Sequence, residues 1–101
     1  MRQSLKVLIV DDREHDAALM VRALRRANFD LTFARVDSEP AMIAAFARQT
    51  WDIVFADYSM PRFNVEGALA VVAKAGLDIP FIVVSGSVGE ETAVEVMRAG
   101  A

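Results

Sequence analysis

The sequence predicts an α/β protein built on a doubly wound parallel sheet. Short runs rich in Val and Ile alternate with segments of helical periodicity, which is typical of buried parallel strands joined by helices. Three of these runs end directly on a polar side chain: Asp11, Asp57 and Ser85. Because parallel strands all point the same way, we expect these side chains to share one edge of the sheet, where open α/β sheets bind their ligands.

The first half of the chain contains two predicted strands and two predicted helices. A strand over 6–10 precedes a helix over 14–27, for which Asn28 is a suitable stop. A second, less apolar strand over 31–36 is expected nearer a sheet edge, and Ser38 can cap the next helix. The side chains expected to face the core are Ala17, Met20, Val21, Leu24 and Ala27 in the first helix and Met42, Ile43, Phe46 and Ala47 in the second.

The second half continues the alternation. Its predicted elements are a strand over 51–56, a helix over 65–75, a strand over 81–84 and a helix that begins near a capping-box pattern at 87–90 and ends at Arg98. Trp51 and Phe55 are predicted in the core. Phe63, in the loop after Asp57, is predicted to be exposed and to contact a partner.

Composition excludes several classes of function. The 101 residues are expected to form one domain, 1–101, and the absence of cysteine excludes disulfides and suits a cytoplasmic location. A net charge of −3 and no long basic face argue against direct nucleic-acid binding. The apolar runs are too short for a signal peptide or a membrane span, so no membrane association is expected.

An acidic cluster is predicted at the sheet edge. The chain order leaves two doubly wound arrangements open, and in the flavodoxin-like order 2-1-3-4-5 the first and third strands are neighbours. Asp11 and Asp12 would then lie beside Asp57. Carboxylates about 5 Å apart repel by roughly 3 kcal/mol per ionised pair at an effective dielectric constant near 20. Mg²⁺, which prefers oxygen ligands, is the usual way to relieve such repulsion, and a carboxylate beside it can attack phosphorus.

Each of these residues also has a purely structural interpretation. Asp11 and Asp12 can cap a helix or close a turn, Asp57 precedes a loop that contains Pro61, and Ser85 precedes Gly86 as turn residues often do. Their convergence on one edge of the sheet favours the functional interpretation.

The same residues give the chain a resemblance to the receiver domains of two-component response regulators. Such domains carry an acidic pair after the first strand, a phospho-accepting Asp after the third and Ser or Thr after the fourth. The matching positions here are Asp11 and Asp12, Asp57 and Ser85, together with Met60-Pro61, Gly86 and the run 97–101 that leads to the family's fifth strand.

The resemblance implies a regulatory switch rather than a metabolic enzyme. Asp57 would be phosphorylated, by a histidine kinase, by a histidine phosphotransfer protein or by a small phosphodonor. Asp12, Asp57 and the backbone carbonyl of Ser59 would bind Mg²⁺ directly, and Asp11 would bind it through water. Ser85 would hydrogen-bond the phosphoryl group and relay the change through the fourth helix to an output domain or partner protein.

The chain also departs from the family pattern. Val65 stands where the family usually has Gly, and the family's Lys at the end of the fifth strand would lie beyond Ala101. Lys6 and Lys74 are predicted at the opposite edge and cannot replace it. The alternative function is therefore that of a pseudo-receiver, an interaction module without phosphotransfer.

The fourth strand raises an expectation about assembly. Without a fifth strand it would leave an apolar sheet edge that favours pairing with another chain. We therefore expect the natural protein to continue past Ala101, and the 101-residue chain to be a homodimer or only marginally stable.

Overall fold

The computed structural model describes residues 3–57, 63–76 and 79–84. These residues form, in chain order, β1 (Gln3–Val10), α1 (Glu14–Arg26), β2 (Phe29–Val36), α2 (Glu39–Arg48), β3 (Ile53–Asp57), α3 (Val65–Lys74) and β4 (Phe81–Val84). The strands pair in parallel in the order β2-β1-β3-β4. The predicted flavodoxin-like order is thus confirmed for these four strands.

The sheet is covered on both faces, and alternate residues of β1 show this directly. Val7 and Ile9 pack with the buried side of α1, whereas Leu8 and Val10 pack with α2 and α3. All four side chains are at most 1% exposed. The uniform burial of residues 7–10 explains why this part of β1 is continuously apolar rather than alternating.

α1 and the turn after it position β2. The side chains of Ala17, Met20, Val21 and Leu24 are buried as predicted. Asn28 adopts a positive φ of 76°, which Asn tolerates better than most residues. This turn lets β2 begin at Phe29, two residues before the predicted start, and Phe29 is itself buried.

α2 follows its predicted start but buries a narrower face. Ser38 caps the helix by accepting the backbone N–H of Ala41 at 3.3 Å. Met42 and Ala45 are buried, whereas Ile43 is 52% exposed and Ala47 is exposed. The prediction that Ile43 and Ala47 face the core is wrong, because α2 is buried along residues three apart rather than along a broad stripe.

β3 is shorter than predicted and begins at Ile53. Trp51 precedes the strand and is buried as expected, with its indole Nε1 donating to the carbonyl of Ala45 at 3.1 Å. Among the described strands β2 and β4 are the outer two, in line with the prediction that the second strand lies nearer an edge.

Two further expectations concern the fourth helix and membrane-spanning segments. The predicted fourth helix, from 88 to Arg98, lies outside them. Within them, no helix is both long and apolar enough to cross a membrane.

Candidate functional site

The register of β1 and β3 places two acidic residues side by side. Val10 and Ala56 are Cα partners in the parallel pair, and Asp11 and Asp57 are the next residue of each chain segment. Backbone pairing therefore brings these two carboxylates to neighbouring strand ends, as the sequence predicts.

Asp11, Asp12 and Asp57 form a single cluster. Each contributes a carboxylate oxygen, and these oxygens all lie within 4.8 Å of one another. Asp11 is 4% exposed and Asp57 is 6% exposed, whereas Asp12 is exposed. The cluster thus has two buried carboxylates, and its third carboxylate is exposed to solvent.

Asp11 is held through its backbone and its side chain. Its N–H donates to the carbonyl of Val36 at 3.0 Å, and its Oδ1 accepts the N–H of Arg13 at 2.8 Å. Its own carbonyl accepts a hydrogen bond from Nη1 of Arg35 at 3.1 Å. The Arg13 contact is the turn role that the structural interpretation assigns to Asp11.

Helix capping does not account for the acidic pair. The N-cap residue of α1 is Arg13, and no side chain makes a capping hydrogen bond there. The Asp11 carboxylate accepts the N–H of Arg13, which is the N-cap residue itself, and the Asp12 side chain is exposed. The turn explains one oxygen of Asp11 but not the clustering of three carboxylates.

Arg35 was not identified by sequence reasoning. It lies on β2 opposite Ile9, one position before the pair Val10 and Val36, and also approaches the Asp37 carboxylate at 3.7 Å. In the sequence it is one charged residue in an edge strand, a pattern that indicates a solvent-facing side chain. Only the β1–β2 register shows that it reaches the backbone of the acidic turn.

Burial raises the pKa of the Asp11 carboxyl from 3.8 to about 6. The hydrogen bond from the Arg13 backbone opposes this rise, while the charges of Asp57, Asp16 and Asp12 add to it. A carboxyl in this position is costly to ionise without a cation. The ionised carboxylates of the cluster therefore repel one another, and a bound cation would offset this repulsion.

The donor set fits Mg²⁺. Oxygen ligands about 2 Å from an octahedral Mg²⁺ lie roughly 3–4 Å from one another. Carboxylate oxygens no more than 4.8 Å apart surround a space of that size, with water or further oxygens completing the shell. The absence of sulfur and imidazole from the cluster also favours a hard cation.

Several predicted site residues lie outside the described residues. These are Ser59, Met60, Pro61, Ser85 and Gly86. Ser85 directly follows Val84, whose Cα partner on β3 is Asp57. The predicted roles of Ser59 and Ser85 stay predictions.

The prediction that Phe63 is exposed and contacts a partner is wrong. Phe63 is only 8% exposed and packs in the core cluster with Ala68, Val71 and Val72 of α3. Gly67 leaves room for its ring, since a Cβ there would lie 3.1 Å from Phe63 Cε1. Val65, which departs from the family pattern, is simply the first residue of α3.

Comparison with known proteins identifies the family of the chain. The response regulator receiver domain family matches residues 7–101. A response regulator from Hahella chejuensis is 26% identical with a TM-score of 0.70, covering 96% of this chain and 75% of its own. FIXJ-N is 24% identical with a TM-score of 0.67, covering 90% and 76%. No curated protein sequence matches significantly.

A designed protein shows the limit of fold similarity. A de novo designed Rossmann 2x2 fold protein has a TM-score of 0.66 at 16% identity and covers 98% of this chain and 91% of its own. Likeness of fold alone therefore assigns no function, and the family match over nearly the whole chain carries the identification. The chain belongs to the response regulator receiver domain family, which supports a regulatory role in two-component signalling.

Proposed function

We propose that the chain is a phospho-accepting switch in which Asp57 is the nucleophile. One observation carries the proposal: Asp57 ends β3 with a carboxylate oxygen within 4.8 Å of oxygens from both Asp11 and Asp12. Membership of the receiver domain family favours a regulatory switch over a metabolic enzyme. A switch needs only an acceptor and a means of offsetting charge.

The transfer step uses the Asp57 carboxylate directly. One of its oxygens attacks phosphorus in a phosphohistidine of a histidine kinase or histidine phosphotransfer protein, or in a small phosphodonor. The new O–P bond makes an acyl phosphate. In phosphohistidine the P–N bond breaks and leaves its electron pair on the imidazole, whereas in acetyl phosphate the P–O bond breaks and acetate leaves. Attack of water on phosphorus later returns the carboxylate and releases inorganic phosphate.

Asp12, Asp57 and the Ser59 carbonyl are the proposed Mg²⁺ ligands, with Asp11 acting through water. When bound, Mg²⁺ offsets the negative charge that gathers on the transferring group. Asp11 and Asp57 are fixed by adjacent strands, so little rearrangement is needed to present their oxygens. The exposed position of Asp12 supports entry of the ion from solvent.

The proposed signal begins with the added charge. Phosphorylation places about 1.5–2 further negative charges at this edge of the sheet. Ser85 would donate its hydroxyl to a phosphoryl oxygen, and the fourth helix would carry the change to an output domain or partner protein. We assign residues 1–101 to one receiver domain and expect it to act in the cytoplasm, without contacting nucleic acid itself.

Intact-mass analysis tests the proposal. The protein in its natural length, incubated with acetyl phosphate and Mg²⁺, should gain one phosphoryl group that Asp57→Asn abolishes. Asp30→Asn is a matched control, because Asp30 is exposed and pairs with Ser4 towards the other end of β1 and β2. Absence of any adduct would replace the proposal with the pseudo-receiver alternative.

A further inference from the structure

Arg35 connects the edge strand β2 to the acidic cluster through the backbone. Its Nη1 donates to the Asp11 carbonyl at 3.1 Å, and the next residue, Val36, accepts the Asp11 N–H at 3.0 Å. Two successive residues of β2 therefore hold both peptide groups of Asp11. The carbonyl that Arg35 holds belongs to the peptide bond that leads into Asp12.

We infer that Arg35 is a positioning residue that fixes the Asp11–Asp12 turn so that both carboxylates are presented to a divalent cation. The inference deepens the proposed function and rests on its metal site. Arg35 itself touches neither the ion nor the phosphoryl group in this role.

The cluster needs such a restraint because its members repel one another. Three carboxylates within 4.8 Å favour any movement that separates them. Asp57 ends β3 and Asp11 is tied to Val36, whereas Asp12 is exposed and follows the last strand residue by two positions. Movement of Asp12 away from the other two carboxylates would therefore relieve the repulsion most readily. The hydrogen bond from Arg35 to the Asp11 carbonyl opposes this movement, because that carbonyl belongs to the peptide bond before Asp12.

The hydrogen bond to the Asp11 carbonyl explains the presence of an arginine at position 35 better than the ion pair with Asp37 does. The Arg35–Asp37 separation is 3.7 Å, and Asp37 is 53% exposed. Exposed ion pairs of this kind contribute little. The bond to the backbone carbonyl of Asp11 is shorter, at 3.1 Å.

Positioning and simple charge predict opposite effects on cation binding. A guanidinium near the site repels a cation, so removal of its charge alone would tighten binding. If Arg35 positions the turn, its removal weakens binding, because the ligands lose their arrangement. Partners that orient metal ligands typically change affinity by about tenfold or more.

The test is a titration of the protein with Mn²⁺, a spectroscopic substitute for Mg²⁺, with free Mn²⁺ measured by electron paramagnetic resonance. Arg35→Met should raise the Mn²⁺ Kd about tenfold, and Arg35→Lys should give an intermediate Kd. Arg22→Met is the matched control, because Arg22 is an exposed arginine on α1 in a groove with Phe33. It should leave the Kd unchanged or slightly lower.

A second readout needs no metal. With chelator present, backbone amide exchange at Asp11 and Arg13 should accelerate in Arg35→Met, since those N–H groups donate to Val36 and to the Asp11 side chain. Exchange at Val7, in the middle of β1, should not change. The same measurement on Arg22→Met should match the wild-type protein at all three amides.

The outcomes separate this inference from the proposed function. A wild-type protein that binds no Mn²⁺ would remove the metal site and with it the proposed function, while the exchange data would still show whether Arg35 holds the turn. Binding by Arg35→Met as tight as wild type, or tighter, would overturn the positioning role. If Arg35→Met does not fold, Arg35→Lys decides by the same criterion.

Discussion

Asp11 and Asp57 follow directly on Val10 and Ala56, which are Cα partners on adjacent parallel strands. Their proximity is thus set by backbone register and does not depend on the conformations of flexible side chains. Both carboxyl groups are nearly buried, so their charge is weakly screened by solvent. This arrangement makes the free energy of the folded protein sensitive to protons and to divalent cations.

Mg²⁺ should stabilise the fold, and Asp12→Asn should abolish most of this effect. A ligand at ten times its Kd adds about 1.4 kcal/mol to the free energy of unfolding. For a domain of this size that corresponds to a rise in Tm of roughly 5–10 °C. Asp12 is exposed, so its substitution removes a ligand without opening the core.

Thermal melts with and without Mg²⁺ measure this effect. Asp30→Asn carries the same change of charge away from the cluster and should keep the full response. An equal rise in Tm for Asp12→Asn would locate the cation elsewhere on the protein.

Asp11→Asn should stabilise the metal-free protein at neutral pH. The Asp11 pKa is about 6 in the folded state, against 3.8 for the solvent-exposed carboxyl of the unfolded chain, so the folded state holds its proton more tightly. The resulting penalty is absent below pH 4, grows as pH rises and is complete above pH 6. Its full size is at most about 3 kcal/mol, and Asn can still accept the Arg13 N–H.

Denaturant unfolding in the presence of chelator, repeated from pH 4 to 7.5, tests this pH dependence. The stability difference between Asp11→Asn and wild type should widen between pH 4 and 6 and stay constant above that. Addition of Mg²⁺ should narrow it, because the ion favours the carboxylate. A difference that does not vary with pH would show that Asp11 titrates normally.

The strands could be predicted because they follow from local sequence, and the shared sheet edge of their last residues follows from their parallel direction. Continuous runs such as 7–10 and 53–56 are apolar because both faces of the sheet are covered. Parallel strands then carry whatever follows them to one edge. Placing Asp11 beside Asp57 also required the order 2-1-3-4, which is one of the two arrangements that the chain order leaves open.

Residues whose role depends on packing between distant elements could not be predicted. Arg35 reaches Asp11 across 24 positions of sequence through the β1–β2 register. Ile43 lies on an apolar stretch that predicts burial, yet α2 turns that position outward. Phe63 is in a loop, and only Gly67, four residues later, hints that a ring packs over the start of α3.

Gly67→Ala should destabilise the protein although alanine favours helices. A Cβ at this position would lie 3.1 Å from Phe63 Cε1 and 3.2 Å from Asn64 Oδ1, the atom that caps α3 by accepting the Gly67 N–H. Displacing a packed ring typically costs about 1–3 kcal/mol, which exceeds the gain of about 1 kcal/mol in helix propensity. Chemical denaturation should show a net loss of about 1 kcal/mol.

A double-mutant cycle with Phe63→Leu identifies the cause of this loss. Leucine is smaller than phenylalanine, so Gly67→Ala should cost less in that background, with a coupling energy of about 0.5 kcal/mol or more. Additive effects would mean that the ring does not oppose the new methyl group. Stabilisation by Gly67→Ala alone would show that the ring and the cap shift freely.

Ser85→Ala should leave phosphorylation of Asp57 largely intact while weakening the response to it. Val84 is the Cα partner of Asp57, and Ser85, whose hydroxyl can donate to a phosphoryl oxygen, follows Val84 in the sequence. The hydroxyl is not needed for the attack of the carboxylate on phosphorus. Intact mass would report the fraction phosphorylated, and amide chemical shifts of residues 88–98 would report the response in the same sample. Ser4→Ala, an exposed site towards the start of β1, is the control and should change neither measurement. Equal shifts in Ser85→Ala and wild type at equal phosphorylation would make Ser85 a turn residue and move the relay elsewhere.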